Sequence, residues 1–154
     1  MEVSVILNDI RSAHNVGSIF RTADGAGVSR IYLCGYTPAP VDRFDRPVKE
    51  IAKVALGAER TVPYEVREIT ELISELKSKG TQVVALEQSP NALSYTNLVP
   101  TGDIALVLGS EVPGIPEEIL NLCGAVIEIP MRGSKESLNV AVAAGIALYS
   151  LIGR

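Results

Sequence analysis

The first group of residues suited to chemistry lies within residues 8–27. Asn15 stands near the start of a predicted helix, and Arg21 follows six residues later among small and apolar side chains. An arginine that is buried or half-buried in such a helix needs an anion or a cluster of acceptors, because its guanidinium cannot lose its charge. Taken alone, Arg21 is explained equally well by a structural ion pair and by a functional contact.

Two further segments place polar residues just after a predicted strand. Residues 106–119 run from a strand into the turn Gly109-Ser110-Glu111, and residues 129–145 lead through a polar loop to Ser137 and Asn139 at the start of an apolar helix. In parallel α/β sheets, ligands bind beyond the carboxyl ends of the strands. Both segments therefore predict ligand contacts, although Ser137 alone is explained as an ordinary helix N-cap.

Five strands and five helices are expected to position these segments. Short runs of apolar and mostly β-branched residues predict strands at residues 3–7, 30–34, 82–86, 104–108 and 125–129. Helices are predicted at residues 16–26, 47–56, 68–79, 116–122 and 138–152. Continuous apolar strands indicate burial on both faces, and strands that alternate with helices indicate right-handed crossovers. The sequence predicts an α/β fold with a mostly parallel sheet and helices on both faces.

Composition narrows the class of protein. The chain has 154 residues, 47% apolar and 21% charged, and no repeat or linker, which predicts a single domain over residues 1–154. We expect neither a signal peptide nor a membrane anchor, because the longest apolar stretch is only about 15 residues. Cys34 and Cys123 have no metal-binding spacing, which indicates two small buried side chains in a reduced, cytoplasmic protein.

Several well-known catalytic and nucleotide-binding motifs are absent. Gly25-Ala26-Gly27 lacks the third glycine of a dinucleotide fingerprint, and Gly133-Ser134-Lys135 lacks the upstream glycine of a phosphate loop. Ser110 would be a nucleophile if His14, the only histidine, were its base and Asp103 or Asp24 oriented that base. The GxSxG pattern of such hydrolases is missing, so a serine hydrolase is the weaker alternative.

The last predicted helix has no polar stripe. Its apolar residues include Val142, Ile146 and Leu148, and alanine or glycine fills the remaining faces. A helix that is apolar all round must be covered all round, and a domain of this size leaves one face open. We therefore expect this helix to form part of a homodimer interface.

Taken together, the three polar segments resemble the SpoU/TrmH branch of the SPOUT RNA methyltransferases, which methylate ribose 2′-hydroxyls with S-adenosylmethionine. Residues 15–23, NVGSIFRTA, resemble the first family motif, residues 108–115, LGSEVPGI, the second, and residues 129–140, IPMRGSKESLNV, the third. The resemblance covers nearly the whole chain. It implies a SPOUT-like α/β fold with a C-terminal trefoil knot that forms the cofactor pocket, and a homodimer whose active site lies at the interface.

The resemblance also implies which residues contact S-adenosylmethionine. By position in the motifs, Gly109, Ile129 and Leu138 contact the cofactor through their backbone, and Leu86 and Met131 line the same cleft. Apolar side chains beside exposed backbone suit a flat, uncharged adenine ring. No metal is expected, because the sulfonium already activates the methyl group.

By the same resemblance, Arg21 is the main catalytic residue. A ribose hydroxyl is a weak acid, so the site must orient it and stabilise the negative charge that develops on its oxygen. Because a guanidinium stays protonated, we expect Arg21 to bind phosphate and stabilise that charge, while a phosphate oxygen or water takes the proton. The supporting catalytic residues are Asn15, Glu111, Ser137 and Asn139.

The substrate would be RNA bound by a local basic rim, because a net charge of −4 gives no attraction over the whole molecule. The basic side chains of this rim are Arg11, Arg43, Arg46, Lys49, Lys53, Arg60, Arg132 and Lys135. With no added RNA-binding domain expected, we favour tRNA over rRNA. The leading interpretation is a cytoplasmic, dimeric RNA 2′-O-ribose methyltransferase, and the alternative from another class is a non-catalytic RNA-binding module that keeps the fold.

Overall fold

The computed structural model of the chain describes residues 1–153. Within that range seven strands form one sheet: β1 Val3–Asn8, β2 Arg30–Cys34, β3 Tyr64–Val66, β4 Gln82–Leu86, β5 Leu93–Ser94, β6 Ile104–Leu108 and β7 Ala125–Glu128. Their order across the sheet is β3-β2-β1-β6-β4-β7-β5, and every neighbouring pair is parallel. The predicted α/β fold with a parallel sheet is confirmed.

Six α-helices occur in the described residues: α1 Ala13–Ala26, α2 Lys49–Ala55, α3 Ala58–Thr61, α4 Ile69–Ser78, α5 Glu117–Leu120 and α6 Val140–Ile152. One turn of 3-10 helix covers Tyr95–Asn97. Among residues 1–153, no helix has both the length and the apolar character that a membrane-spanning segment needs.

The strands alternate between two hydrophobic cores, one on each face of the sheet. In β1, Val5 and Leu7 pack into the core that also contains buried residues of α1, α2 and α6. Ile6 points the other way and packs with Leu72 of α4 and residues of α5. Successive side chains of a strand point to opposite faces of the sheet, and helices cover both faces. The strand sequences are therefore continuous apolar runs.

The register of the strands places their carboxyl ends at one level. Leu7 pairs with Leu108, Leu108 pairs with Leu86, and Leu86 pairs with Ile127. The loops that leave β1, β4, β6 and β7 therefore start side by side along one edge of the sheet, which is where parallel α/β sheets bind ligands.

Helices α1 and α2 pack closely at Gly17. A Cβ added to Gly17 would lie 2.7 Å from the backbone oxygen of Ile51 and 3.0 Å from the Cβ of Val54. No side chain fits in that space, so glycine at this position lets α2 fix the orientation of α1 and of the polar residues on it.

Helix α6 differs from the prediction at its start and agrees with it on its outer face. It begins at Val140, and the side chain of Asn139 caps it by accepting a hydrogen bond of 2.9 Å from the Ala141 backbone N–H. The prediction of Ser137 as N-cap was therefore wrong. On the outer face, Val142 and Tyr149 are more than half exposed and Ile146 is 36% exposed, so within one chain this apolar face is uncovered.

Candidate active site

A cleft lies at the carboxyl ends of β4, β6 and β7, where the sequence predicted ligand contacts. It is open to solvent, and the empty space within it, part of which is open solvent, is about 590 Å³. The lining residues are Leu86, Glu87, Gln88, Leu108, Gly109, Ser110, Glu111, Glu128, Ile129, Met131, Ser137, Leu138, Val140 and Ala143. All five residues predicted to contact the cofactor are among them, as are Glu111 and Ser137.

The cleft combines apolar walls with acidic side chains. Leucine, isoleucine, valine, methionine and alanine residues form half of the lining, and Glu87, Glu111 and Glu128 add three carboxyl groups. Among the described lining residues there is no lysine, arginine or histidine. Such a site favours a flat apolar ligand with positive or zero net charge and disfavours a ligand with several phosphates.

The loop after β6 folds back tightly over Gly109. A Cβ on Gly109 would lie 2.6 Å from Cγ1 of Ile115 and 2.9 Å from the Ile115 nitrogen, so no larger residue fits. The loop can therefore close one side of the cleft while leaving the backbone at Gly109 free of a side chain. This arrangement depends on the glycine that the sequence placed directly after the strand.

Glu87 holds that loop in place. Its Oε2 accepts a hydrogen bond of 2.8 Å from the backbone N–H of Ile115, and its Oε1 accepts one of 3.1 Å from the N–H of Gln88. A Cβ on Gly114, whose φ is +86°, would lie 2.5 Å from the same carboxylate. Glu87 thus joins the end of β4 to the loop after β6.

Sequence reasoning missed three polar lining residues of this cleft: Glu87, Gln88 and Glu128. Gln88 donates from Nε2 to the backbone oxygen of Ile129 at 3.4 Å, and Glu128 is the last residue of β7. Their position in the sequence could have indicated Glu87 and Gln88 as lining residues, because both directly follow Leu86, the last residue of a predicted strand.

The remaining predicted catalytic residues lie outside the cleft. Asn15 and Asn139 meet where α1 and α6 pack, in a shallow depression also lined by His14, Ser18 and Thr22. The Nδ2 of Asn139 donates to the Oδ1 of Asn15 at 3.2 Å. Asn139 therefore caps α6 and links it to α1, so two of the three sequence motifs are in direct contact.

Arg21 lies on an exposed face of α1 and lines neither the cleft nor the depression. The expectation of a buried or half-buried arginine was wrong. Val16, Ile19, Phe20 and Ala23 form the buried face of α1, and helical geometry turns position 21 away from it. Arg21 forms no hydrogen bond or ion pair with any residue in the described part of the chain, so its guanidinium is free to bind an anion.

The residues of the hydrolase alternative are not brought together. Ser110 lines the cleft, whereas His14 lines the depression between α1 and α6. Asp103 accepts a hydrogen bond from the Glu2 backbone N–H at 2.8 Å, and Asp24 accepts one from Thr61 Oγ1 at 3.2 Å. Neither acid is hydrogen-bonded to His14 among residues 1–153, so the arrangement gives no support to a nucleophilic serine.

The two cysteines also show no sign of reactivity. Burial raises the pKa of the Cys34 thiol to about 12 and that of Cys123 to about 11, so both thiols are protonated at neutral pH. Cys34 is buried as predicted, whereas Cys123 is only half-buried. Within residues 1–153, no group of three or more histidine, cysteine, aspartate or glutamate side chains is placed to hold a metal ion.

Comparison with known proteins assigns the family. The family model for the SpoU rRNA methylases matches residues 2–149. The chain belongs to the SpoU rRNA methylase family. The 23S rRNA (guanosine-2′-O-)-methyltransferase RlmB of Coxiella burnetii is 36% identical over 148 residues, which are 96% of this chain and 56% of that protein. A Staphylococcus aureus protein named for the TrmH family of tRNA/rRNA methyltransferases is 36% identical over 148 residues, 96% of this chain and 57% of that protein.

Solved structures agree with this SpoU assignment. The crystal structure of an AdoMet-bound rRNA methyltransferase from Sinorhizobium meliloti superposes with a TM-score of 0.88 at 32% identity, covering 97% of this chain and 55% of that one. The family and the SPOUT α/β fold predicted from the three motifs are confirmed. The chain spans about half the length of the curated relatives that it matches.

Proposed function

We propose that this SpoU-family chain transfers a methyl group from S-adenosylmethionine to the 2′-hydroxyl of a ribose in RNA. The observation that supports this most directly is the cleft, which has apolar walls and three carboxyl groups and, among its described lining residues, no cationic side chain. Relatives named as RNA methyltransferases, one of them solved with AdoMet bound, support the same activity.

The cleft fits the charge of this cofactor. S-adenosylmethionine has a sulfonium and an ammonium group against one carboxylate, and so is cationic overall at neutral pH. Glu87, Glu111 and Glu128 would attract it, whereas the phosphates of ATP or NAD would meet three like charges and no cation. The apolar residues of the lining provide the surface for the adenine ring.

Five residues are proposed to hold the cofactor. Gly109, Ile129 and Leu138 would contact it through backbone groups, and Leu86 and Met131 would pack against its rings. The tight turn at Gly109 supports this, because a side chain at that position would fill the space beside the strand end. When bound, the cofactor supplies a methyl group that is already activated by the sulfonium charge.

The chain's own residues then have to position the ribose and stabilise charge on its oxygen. We assign Arg21 to the neighbouring phosphate and to the developing negative charge, since its guanidinium has no partner in the described chain. Asn15 and Asn139, which are already hydrogen-bonded to each other, and Ser137 at the cleft would orient the sugar or the cofactor carboxylate. Glu111, exposed at the cleft, would attract the cofactor or hold a loop.

A homodimer is proposed because the site of one chain is incomplete. Among its described lining residues the cleft has no cation, and Arg21 lies outside it, so an arginine from a second copy would supply the missing charge. The uncovered apolar face of α6, with Val142, Ile146 and Tyr149, is the surface for that contact. The trefoil knot implied by the resemblance stays a prediction, in which the C-terminal half of the chain forms the knotted cofactor pocket.

We favour tRNA over rRNA as the substrate, and the cytoplasm as the location. Arg43, Arg46, Lys49 and Lys53 are all exposed, as the predicted basic rim requires. A rim that lies on the catalytic domain suits a compact, accessible RNA element. Free thiols at Cys34 and Cys123 fit a reducing compartment.

Two experiments test cofactor binding, methyl transfer and the identity of the RNA substrate separately. Calorimetry should show that S-adenosylmethionine binds in the absence of RNA and that ATP does not. Labelled methyl from the cofactor should then appear in tRNA, and it should remain in dinucleotides after alkaline hydrolysis, because a 2′-O-methyl group blocks cleavage of the adjacent phosphodiester. Label in rRNA alone would reject the tRNA preference, and RNA binding without any transfer would favour the non-catalytic module.

A further inference from the structure

Two exposed aromatic rings lie next to arginine side chains in the loop between β2 and α2. Tyr36 is 75% exposed, and the guanidinium carbon of Arg11 lies 5.6 Å from its ring centre. Phe44 is 61% exposed, and the guanidinium carbons of Arg43 and Arg46 each lie 4.9 Å from its ring centre. Single exposed apolar residues are common, but an exposed ring beside a cation can bind a ligand both by stacking and by charge.

The Phe44 ring is held outward by a small hairpin, residues 41–47. Val41 and Pro47 form an antiparallel bridge at its base. The Oδ1 of Asp42 accepts hydrogen bonds from the backbone N–H groups of Phe44, at 2.8 Å, and Arg46, at 3.1 Å, while its Oδ2 accepts one of 3.0 Å from Arg46 Nε. Phe44 is thus displayed on an ordered hairpin, so binding through it would cost little ordering entropy.

Tyr36 lies on the edge of the sheet that also forms the cleft, and Phe44 follows eight residues later in the same loop between β2 and α2. Tyr36 follows the carboxyl end of β2, and its backbone N–H donates to Asp9 Oδ1 at 2.9 Å, in the loop after β1. Ile10 N–H donates to Thr37 Oγ1 at 3.0 Å, which joins the same two loops again. Strand β1 neighbours β6, whose carboxyl end borders the cleft.

We propose that Tyr36 and Phe44 stack on unpaired nucleotides of the RNA substrate, while Arg11 and Arg43 contact the adjoining phosphates. The proposal rests on the proposed function and narrows its substrate to RNA with unpaired bases near the methylated ribose. Proteins read RNA mainly at unpaired bases, which stack on aromatic rings and guanidinium planes. Arg11 and Arg43 form no ion pair with a described residue, whereas Asp42 neutralises Arg46.

Direct binding measurements on the full chain can test the rings. The probe is a labelled RNA hairpin with a long unpaired loop, compared with a labelled RNA duplex of equal length. Phe44→Leu and Tyr36→Leu remove a ring but keep apolar bulk, and each should weaken hairpin binding about 5- to 100-fold while leaving duplex binding unchanged. Phe44→Tyr keeps a ring and should retain hairpin affinity.

Salt dependence tests the arginines. Arg43→Gln should make the plot of log affinity against log salt shallower by roughly 0.7, the value for one lost single-strand phosphate contact. Lys79→Gln is the charge control: Lys79 is the C-cap residue of α4, before the amino end of β4, and its charge is already paired with Glu75 at 3.0 Å. It should leave both affinity and slope unchanged.

Three outcomes would overturn the proposal. Leucine variants that bind the hairpin as tightly as the wild type would show that the rings are not used. Equal losses for hairpin and duplex would show that unpaired bases are not what the surface reads. A change in oligomeric mass in the leucine variants would assign the rings to a contact between chains. A wild-type chain that transfers no methyl group would contradict the proposed function but not the stacking of the two rings on RNA, since these binding comparisons need no cofactor.

Discussion

Replacing Glu87 tests whether one carboxylate holds the proposed cofactor cleft in shape. Glu87 accepts hydrogen bonds from the backbone N–H groups of Ile115 and Gln88, and the nitrogen of Ile115 belongs to a residue that is only 5% exposed. In Glu87→Ala both bonds are lost, and the N–H of the buried Ile115 loses its side-chain acceptor. The loop that folds over Gly109 then loses its attachment to the end of β4.

The size of the effect follows from the group left without a partner. A buried N–H without a partner costs about 1–3 kcal/mol, and a hydrogen bond to a charged group is worth about 1.5–3 kcal/mol. If the loop must be ordered to bind the cofactor, about 1–3 kcal/mol becomes a loss of about 5- to 100-fold in affinity for S-adenosylmethionine. Glu87→Gln keeps one acceptor and should lie between Glu87→Ala and the wild type.

Calorimetry with S-adenosylmethionine measures that loss, and amide hydrogen exchange at Ile115 reports the loop directly. The matched control is Glu111→Gln, which removes a carboxylate of the same cleft that makes no hydrogen bond within residues 1–153. Glu111→Gln should weaken cofactor binding only through the loss of one negative charge, and it should leave hydrogen exchange at Ile115 unchanged. Equal losses of affinity in Glu87→Gln and Glu111→Gln, without faster exchange at Ile115, would refute the positioning role.

Three other substitutions test the proposed catalysis, packing and dimer. Arg21→Lys keeps the charge but loses the planar fork, so most methyl transfer should disappear while calorimetric cofactor affinity is retained; near-normal turnover would contradict the assignment. Gly17→Ala should lower the free energy of unfolding by about 1–3 kcal/mol in denaturant titrations, because the added Cβ would lie 2.7 Å from the Ile51 backbone oxygen. The control Gly25→Ala should not lower it, because the added Cβ meets only the movable Tyr149 hydroxyl, at 3.0 Å. Ile146→Glu places a charge on the exposed face of α6 and should shift the mass measured by light scattering from two chains to one, whereas a wild-type monomer would reject the dimer.

The sequence predicted the buried part of the fold well because burial leaves a clear pattern. The five central strands were all predicted, since both of their faces are apolar. Strand β3, Tyr64–Val66, and strand β5, Leu93–Ser94, were missed because they are short edge strands with polar residues and a neighbour on only one side. The cleft was predicted for a related reason, since parallel strands bring their carboxyl ends to one edge.

Features that depend on one tertiary contact could not be predicted in the same way. The role of Glu87 depends on Ile115, 28 positions away in the chain. The display of Phe44 depends on a hairpin that Asp42 folds, although the basic residues around it were recognised. Arg21 is different, because its exposure was available from the sequence: Val16, Ile19, Phe20 and Ala23 define a helical face that excludes position 21.

The placement of charge connects the proposed cofactor site with the proposed RNA surface. An acidic cleft suits a cationic methyl donor but repels a phosphate backbone, so arginines that bind RNA cannot line the same wall without neutralising it. In this chain the arginines proposed to bind RNA lie outside it: Arg11 and Arg43 are in the loops after β1 and β2, and Arg21 is on the exposed face of α1. Methyl transfer nevertheless requires donor and ribose to meet. In the proposed homodimer, a second chain packed against α6 would bring an arginine to the cleft from outside and so supply the cation that the described lining residues lack.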